Sequence, residues 1–187
     1  MGLNVSLQGM GVTVGDFDND GFDDIYVTAV GSGRLFKNIN GKKFVDVTAA
    51  SGIKDTGWGT SAAWLDYDND GKLDLFILSA QQRTLLMGTA NDYAVVVEPS
   101  FFKSGYGIAA AAGDLNGDGY PDLALAVAQS DNQVLLNTGG TNHWISYRLT
   151  GVATNKSAIG VNMRVKANGQ WQQRYVAGNS GYHAQSS

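Results

Sequence analysis

The sequence predicts an all-β repeat protein, and three observations carry that prediction. The first is an aspartate-rich turn that occurs three times, as GDFDNDGFDD (15–24), LDYDNDGKLDLF (65–76) and GDLNGDGYPDLA (113–124). The first aspartates of the copies, Asp16, Asp66 and Asp114, lie 50 and then 48 residues apart. Self-similarity at such a period marks a repeat architecture. The second is an apolar run directly after each turn: IYVTAV, LFILSA and LALAVA. Runs of this length and composition, bounded by turns, read as buried strands. The third is composition: 25 Gly and 2 Pro in 187 residues suit many tight turns between short strands.

The elements follow in order. In the first copy, VTVGDF leads into the turn and IYVTAV leaves it; RLFKNI comes next, then KKFVDVT beyond a turn at Asn40-Gly41. In the second, Trp58-Gly59 opens onto TSAAWL, and LFILSA follows the loop. RTLLMG comes after a turn at Gln81 and Gln82, and YAVVVE after one at Asn91 and Asp92. Four short strands in about 48 residues are the content of one propeller blade. A β-solenoid is the competing architecture, but its coils are usually shorter. The expected organisation is three four-stranded antiparallel blades, a partial propeller, at about 1–53, 54–101 and 102–140. A small β module follows at 141–187.

The turns hold 12 of the 17 acidic residues. Each pair of carboxylates within about 5 Å repels by roughly 1–3 kcal/mol, so such crowding needs a counter-charge. The acids fall at positions 1, 3, 5 and 9 of each loop, with Gly at position 6. The sets are Asp16, Asp18, Asp20, Asp24; Asp66, Asp68, Asp70, Asp74; and Asp114, Asn116, Asp118, Asp122. Oxygen donors at alternate positions around a Gly-enabled turn suit a hard cation. A backbone carbonyl at position 7 commonly joins them; here it comes from Phe22, Lys72 or Tyr120. Calcium fits better than magnesium, which demands octahedral rigidity and retains waters. About three Ca²⁺ ions are expected. An EF-hand would need Glu at position 12, where this chain has Val27, Ile77 and Leu125. A plain polar turn explains one copy but not three in register. Asp23, at position 8, has no acidic counterpart in Leu73 or Pro121 and reads as a solvated or outer-shell charge. Gly9, Gly59 and Gly107 recur seven residues before each first aspartate.

Other function classes find little support. The chain has no Cys and a net charge of −4 with scattered basic residues, so neither thiolate chemistry nor a nucleic-acid surface is expected. No apolar run reaches the roughly 18 residues of a membrane span. MGLNVSLQGM shows no export signal. His143 and His183 have no ligand-spaced companion, no catalytic motif is present, and the best carboxylates are committed to metal. No enzyme activity is expected. Trp58, Trp64, Tyr67, Tyr106, Trp144 and Trp171 are either blade core or a carbohydrate platform, and Lys156, Arg164 and Arg174 could meet an anionic glycan.

These motifs resemble a known family. GIAAAAGDLNGDGYPDLALA (107–126) resembles the FG-GAP/VCBS repeat of integrin-type β-propellers, and RLFKNINGKKFVDVTAASGI (34–53) is similar to the inter-repeat segment of its bacterial members. From residue 142 the chain resembles the ASPIC/UnbV module, which follows such repeats in secreted acidic proteins. The resemblance implies calcium at the twelve side chains above and an extracellular, secreted, cell-surface or periplasmic setting. It implies a non-catalytic binding or adhesion role toward a protein or carbohydrate ligand. Integrin-type propellers usually have seven blades, and the ASPIC/UnbV module normally continues further. The expectation is therefore part of a larger protein, or self-assembly through open blade edges. The alternatives are an accessory part of a larger secreted enzyme and a structural subunit of an extracellular oligomer or filament.

Overall fold

A computed structural model of the chain describes residues 2–54, 57–80, 83–89, 93–96, 105–153, 155–167 and 169–176. These residues form strands and turns and no helix. The first repeat supplies β1 (Gly9–Gly15), β2 (Asp24–Gly31), β3 (Arg34–Ile39) and β4 (Lys43–Asp46), paired antiparallel in sequence order. The second supplies β5 (Gly57–Leu65), β6 (Asp74–Ser79), β7 (Arg83–Gly88) and β8 (Tyr93–Val96) in the same order. The third supplies β9 (Tyr106–Gly113), β10 (Asp122–Ala128) and β11 (Gln133–Leu135). A separate hairpin of β12 (Asn162–Ala167) and β13 (Gln170–Tyr175) follows. The fold is all-β, antiparallel and propeller-like, as expected.

Two expectations need correcting. VTVGDF does not run as strand to its end: β1 stops at Gly15, which pairs with Asp24, so Asp16 and Phe17 belong to the loop. The third blade has three strands among the described residues rather than four. After β11, Gly139 turns at φ 79°, and Asn137 Nδ2 and Asn142 Nδ2 donate to the Tyr67 and Asp68 carbonyls of the second loop, so the chain leaves the sheet toward the neighbouring blade. The turns expected at Gln81-Gln82 and Asn91-Asp92 lie outside the described residues, as does His183.

The blades stack face to face, and β6 shows how. All six of its residues are buried. Successive side chains of a strand point to opposite faces, so Leu75 and Ile77 join Tyr26, Leu35 and Ala62 in one core. Phe76 and Leu78 join Ala110, Leu123 and Leu125 in the next. Each of the buried Leu, Ile and Phe side chains contributes about 1.5–3 kcal/mol through burial. The recurring Gly9, Gly59 and Gly107 pair with Ala29, Ser79 and Val127, and a register shift lies beside each. They are bulge positions that bend the first strand of a blade. At Gly107 a Cβ would lie 2.4 Å from Leu78 Cδ1, so the close approach of blades two and three requires glycine there.

The outer blades keep apolar residues in solvent. Val12 and Val14 of β1 are exposed, alternating with buried Gly11 and Thr13. Val134 and Leu136 are exposed beside inward Gln133 and Leu135. The residue after the first loop aspartate tracks the same logic. Phe17 packs on Trp64 and Tyr93 of the second blade, with ring centroids 6.3 and 5.9 Å away. Tyr67 packs against the second core. Leu115, with no described blade beyond it, is 56% exposed. Among the described residues no helix is long and apolar enough to cross a membrane.

Candidate metal centre

The three loops are built alike. In each blade the last residue of the first strand pairs with the position-9 aspartate: Gly15 with Asp24, Leu65 with Asp74, Gly113 with Asp122. That fixes residues 16–23, 66–73 and 114–121 as equivalent loops. The position-6 backbone N–H donates to the position-1 carboxylate, as Gly21 to Asp16 at 2.9 Å, Gly71 to Asp66 at 3.1 Å and Gly119 to Asp114 at 2.9 Å. The position-7 N–H donates to position 5: Phe22 to Asp20, Lys72 to Asp70, Tyr120 to Asp118. Position 4 is left-handed at Asn19, Asn69 and Gly117 (φ 57°, 57° and 79°) and position 6 at Gly21, Gly71 and Gly119 (φ 95°, 91° and 86°). Only Gly, and Asn among few others, takes such backbone readily.

Position 9 carries a second task that the spacing does not reveal. Asp24, Asp74 and Asp122 are at most 1% exposed. One oxygen of each accepts the N–H of position 2, from Phe17 at 3.1 Å, Tyr67 at 2.7 Å and Leu115 at 2.9 Å. The other accepts an N–H near the end of the third strand, from Asn38 at 2.7 Å, Gly88 at 2.6 Å and Asn137 at 2.7 Å. The carboxylate thus ties the loop to the third strand of its own blade. Its remaining lone pairs leave it able to face an ion as well.

The structure brings together Asp16, Asp18 and Asp24, and likewise Asp66, Asp68 and Asp74; in each trio one oxygen per residue lies within 4.8 Å of the others. Either group could hold a metal ion, and an all-oxygen donor set suits a hard cation. Asp20 and Asp70, at position 5, stand outside the trios and meet ammonium groups: Lys37 lies 3.3 Å from Asp20 and also pairs with Asp18, while Lys72 pairs with Asp70. Asp23 also stands outside; its carbonyl accepts from Asn38 Nδ2. No third trio forms among the described residues. There Asn116 replaces a carboxylate, and its Nδ2 donates to Asp118 Oδ2 at 2.8 Å. Phe22, Lys72 and Tyr120 occupy position 7 of their loops; the Tyr120 ring is buried and its hydroxyl donates to the Asn142 carbonyl.

Burial, and then the neighbouring carboxylates Asp20 and Asp18, pushes Asp16 up to about 6. Burial pushes Asp24 and Asp74 up to about 7, and it raises Asp66. Folded values above the unfolded one mean that the folded chain holds extra protons between about pH 4 and pH 7. That stabilisation is full at the acid side and is lost as pH rises through about 7. A divalent ion needs the ionised forms, so its stabilisation runs the other way. In chelator, calorimetry should show the melting temperature falling between about pH 5.5 and pH 8, and the gain from saturating calcium widening over the same interval. A metal-free melting temperature that climbs with pH contradicts this.

The comparisons with known proteins agree with this geometry. A family model described as FG-GAP-like repeat matches residues 16–77, and one described as FG-GAP repeat matches residues 106–142. The chain carries FG-GAP repeats. Cartilage acidic protein 1 of Xenopus tropicalis is 34% identical over 77 residues, a stretch that is 40% of this chain and 12% of that protein. The FG-GAP matches end at residue 142, before the β12–β13 hairpin.

The FG-GAP loops are also wired to one another, which the spacing did not disclose. Asn19 Nδ2 donates to the Gly71 carbonyl at 3.0 Å, and Asn69 Nδ2 to the Gly119 carbonyl at 3.1 Å. Each position-4 amide therefore reaches position 6 of the next loop. The available signal was Asn at position 4 in two loops and Gly117 in the third, which has no side chain to pass the contact on. Of the candidate aromatics, Trp64 and Tyr67 pack against the inter-blade cores, whereas Trp58, Tyr106, Trp144 and Trp171 are exposed. Trp171 lies beneath Arg164 and Lys166, and Arg174 lies 3.4 Å from Asp66.

Proposed function

We propose that the chain is a non-catalytic, calcium-stabilised extracellular binding module. Its blades lie at about 1–53, 54–101 and 102–140, and its C-terminal segment at 141–187 is of ASPIC/UnbV type. The observation that carries the reading is the pair of equivalent carboxylate trios at strand ends in adjoining repeats. The ligands proposed are Asp16, Asp18, Asp20, Asp24 with the Phe22 carbonyl; Asp66, Asp68, Asp70, Asp74 with the Lys72 carbonyl; and Asp114, Asn116, Asp118, Asp122 with the Tyr120 carbonyl. Calcium supplies the counter-charge there, and three ions take the formal charge from −4 to +2. Calcium-rich surroundings outside the cell suit such sites, and a relative named for cartilage and acidity is in keeping with that setting.

Trp58 and Tyr106 precede the equivalent bulge glycines of adjacent blades and are about half exposed. They sit at the starts of β5 and β9, away from the metal loops, and are the contacts proposed for a protein or carbohydrate ligand. Arrays of glycans and matrix proteins should give hits in calcium buffer that Trp58→Ala with Tyr106→Ala abolishes. Arrays without hits contradict the binding role. The exposed Val12, Val14, Val134 and Leu136 further support self-association through the outer blades. Light scattering should show mass rising with concentration, and Val134→Glu with Leu136→Glu should suppress the rise. A monodisperse monomer at high concentration contradicts this part.

A further inference from the structure

The segment after the blades lies across the metal loops and touches all three at the same position. Gln173 Nε2 donates to the Gly21 carbonyl at 3.2 Å. A Cβ on Gly71 would fall 2.1 Å from Gln172 Nε2, and one on Gly119 would fall 1.8 Å from the Trp144 ring. The position-6 glycines of loops one, two and three are thus covered in turn by Gln173, Gln172 and Trp144. The Gly21 carbonyl is the one that no preceding described loop serves, and Gln173 gives it the amide that Asn19 gives Gly71 and Asn69 gives Gly119. Two further ties hold the segment down: Asn142 Nδ2 donates to the Asp68 carbonyl at 2.9 Å, and the Arg174 guanidinium lies 3.4 Å from Asp66 Oδ2. Between segment and second loop remains a cavity of about 430 Å³, lined by Trp144, Tyr147, Arg174 and Asp66 among others.

We infer that the described residues between 142 and 176 form an intramolecular strap docked on the metal-loop face, and that Arg174 makes the strap a competitor of the ion in the second loop. This rests on the divalent-ion reading of that loop. Asp66 is shared: in the metal-free chain it faces a tethered guanidinium, and an ion held there puts a second cation on the same carboxylate. Binding coupling is reciprocal, so a strap that weakens the ion is itself loosened by the ion to the same degree. Both loops carry a lysine of their own blade, Lys37 on Asp18 and Asp20 and Lys72 on Asp70, but among the described residues only the second has a strap cation on a trio carboxylate, Arg174 on Asp66. The strap therefore addresses the second loop selectively.

The test compares the full chain with Arg174→Gln, which removes the charge, and Arg174→Lys, which keeps it. Calorimetric titration with calcium should show one class of site tightening roughly tenfold in Arg174→Gln and little changed in Arg174→Lys, the size expected for one partly screened charge near the ion. Hydrogen exchange across residues 142–176 should quicken on adding calcium to the unsubstituted chain. It should already be fast without calcium in Trp144→Ala with Gln172→Ala, which unseats the strap while leaving the loops intact. Calcium uptake with equal affinities in all variants, or exchange that calcium leaves unchanged or slows, overturns the strap coupling alone. No calcium uptake in any variant overturns the ion reading and this inference with it.

Discussion

Calcium added to chelated protein should raise its melting temperature by well over ten degrees. Each site at a hundredfold excess over its Kd adds about 2.7 kcal/mol. Three such sites add roughly 8 kcal/mol, and a chain of this size gains about 2–4 °C per kcal/mol. The rise should come in two phases. The first two loops each gather three carboxylates, whereas the third offers Asn116 in place of one and should fill at higher calcium. Magnesium at equal concentration should give a smaller rise, since these loops impose no octahedral cage. Differential scanning calorimetry in chelator, calcium and magnesium reads all three. A transition that calcium leaves in place removes the metal from the account.

The second large effect is at Asp74. Its carboxylate is 1% exposed and accepts the N–H groups of Tyr67 and Gly88. Asp74→Ala strands both donors inside the blade, and each unsatisfied group costs about 1–3 kcal/mol. In chelator, Asp74→Ala should therefore lose roughly 2–6 kcal/mol in denaturant unfolding. Asp74→Asn keeps one carbonyl acceptor and sheds a charge that burial disfavours, so it should lose far less without calcium. With calcium present both variants should fall further below the unsubstituted chain by a similar amount, because neither offers the carboxylate proposed to face the ion, while the gap between them persists. Equal losses for both in chelator contradict the clamping role.

Much of this architecture is legible in the order of the residues. The three-fold spacing marks the repeat, the alternating oxygens mark the loop chemistry, and RLFKNI and RTLLMG match β3 and β7 residue for residue. Strand ends are less legible, because Asp16 and Phe17 continue an apolar-looking run while their backbone already turns. What stays hidden involves partners distant in sequence. The spacing marks Asp24 as a candidate ligand but cannot show that one of its oxygens takes Asn38 N–H, 14 residues on. Asn19 reads as a turn residue until Gly71 is beside it, 52 residues away. Gln173 carries no signal at all, since its contact with Gly21 spans 152 residues.

Anomalous diffraction from crystals grown in calcium chloride tests the central claim most directly. The account predicts a strong peak inside each of the first two loops, among Asp16, Asp18 and Asp24 and among Asp66, Asp68 and Asp74, with a weaker one in the third. Peaks absent from both of the first two loops, with the carboxylates held by lysine and arginine alone, would contradict it.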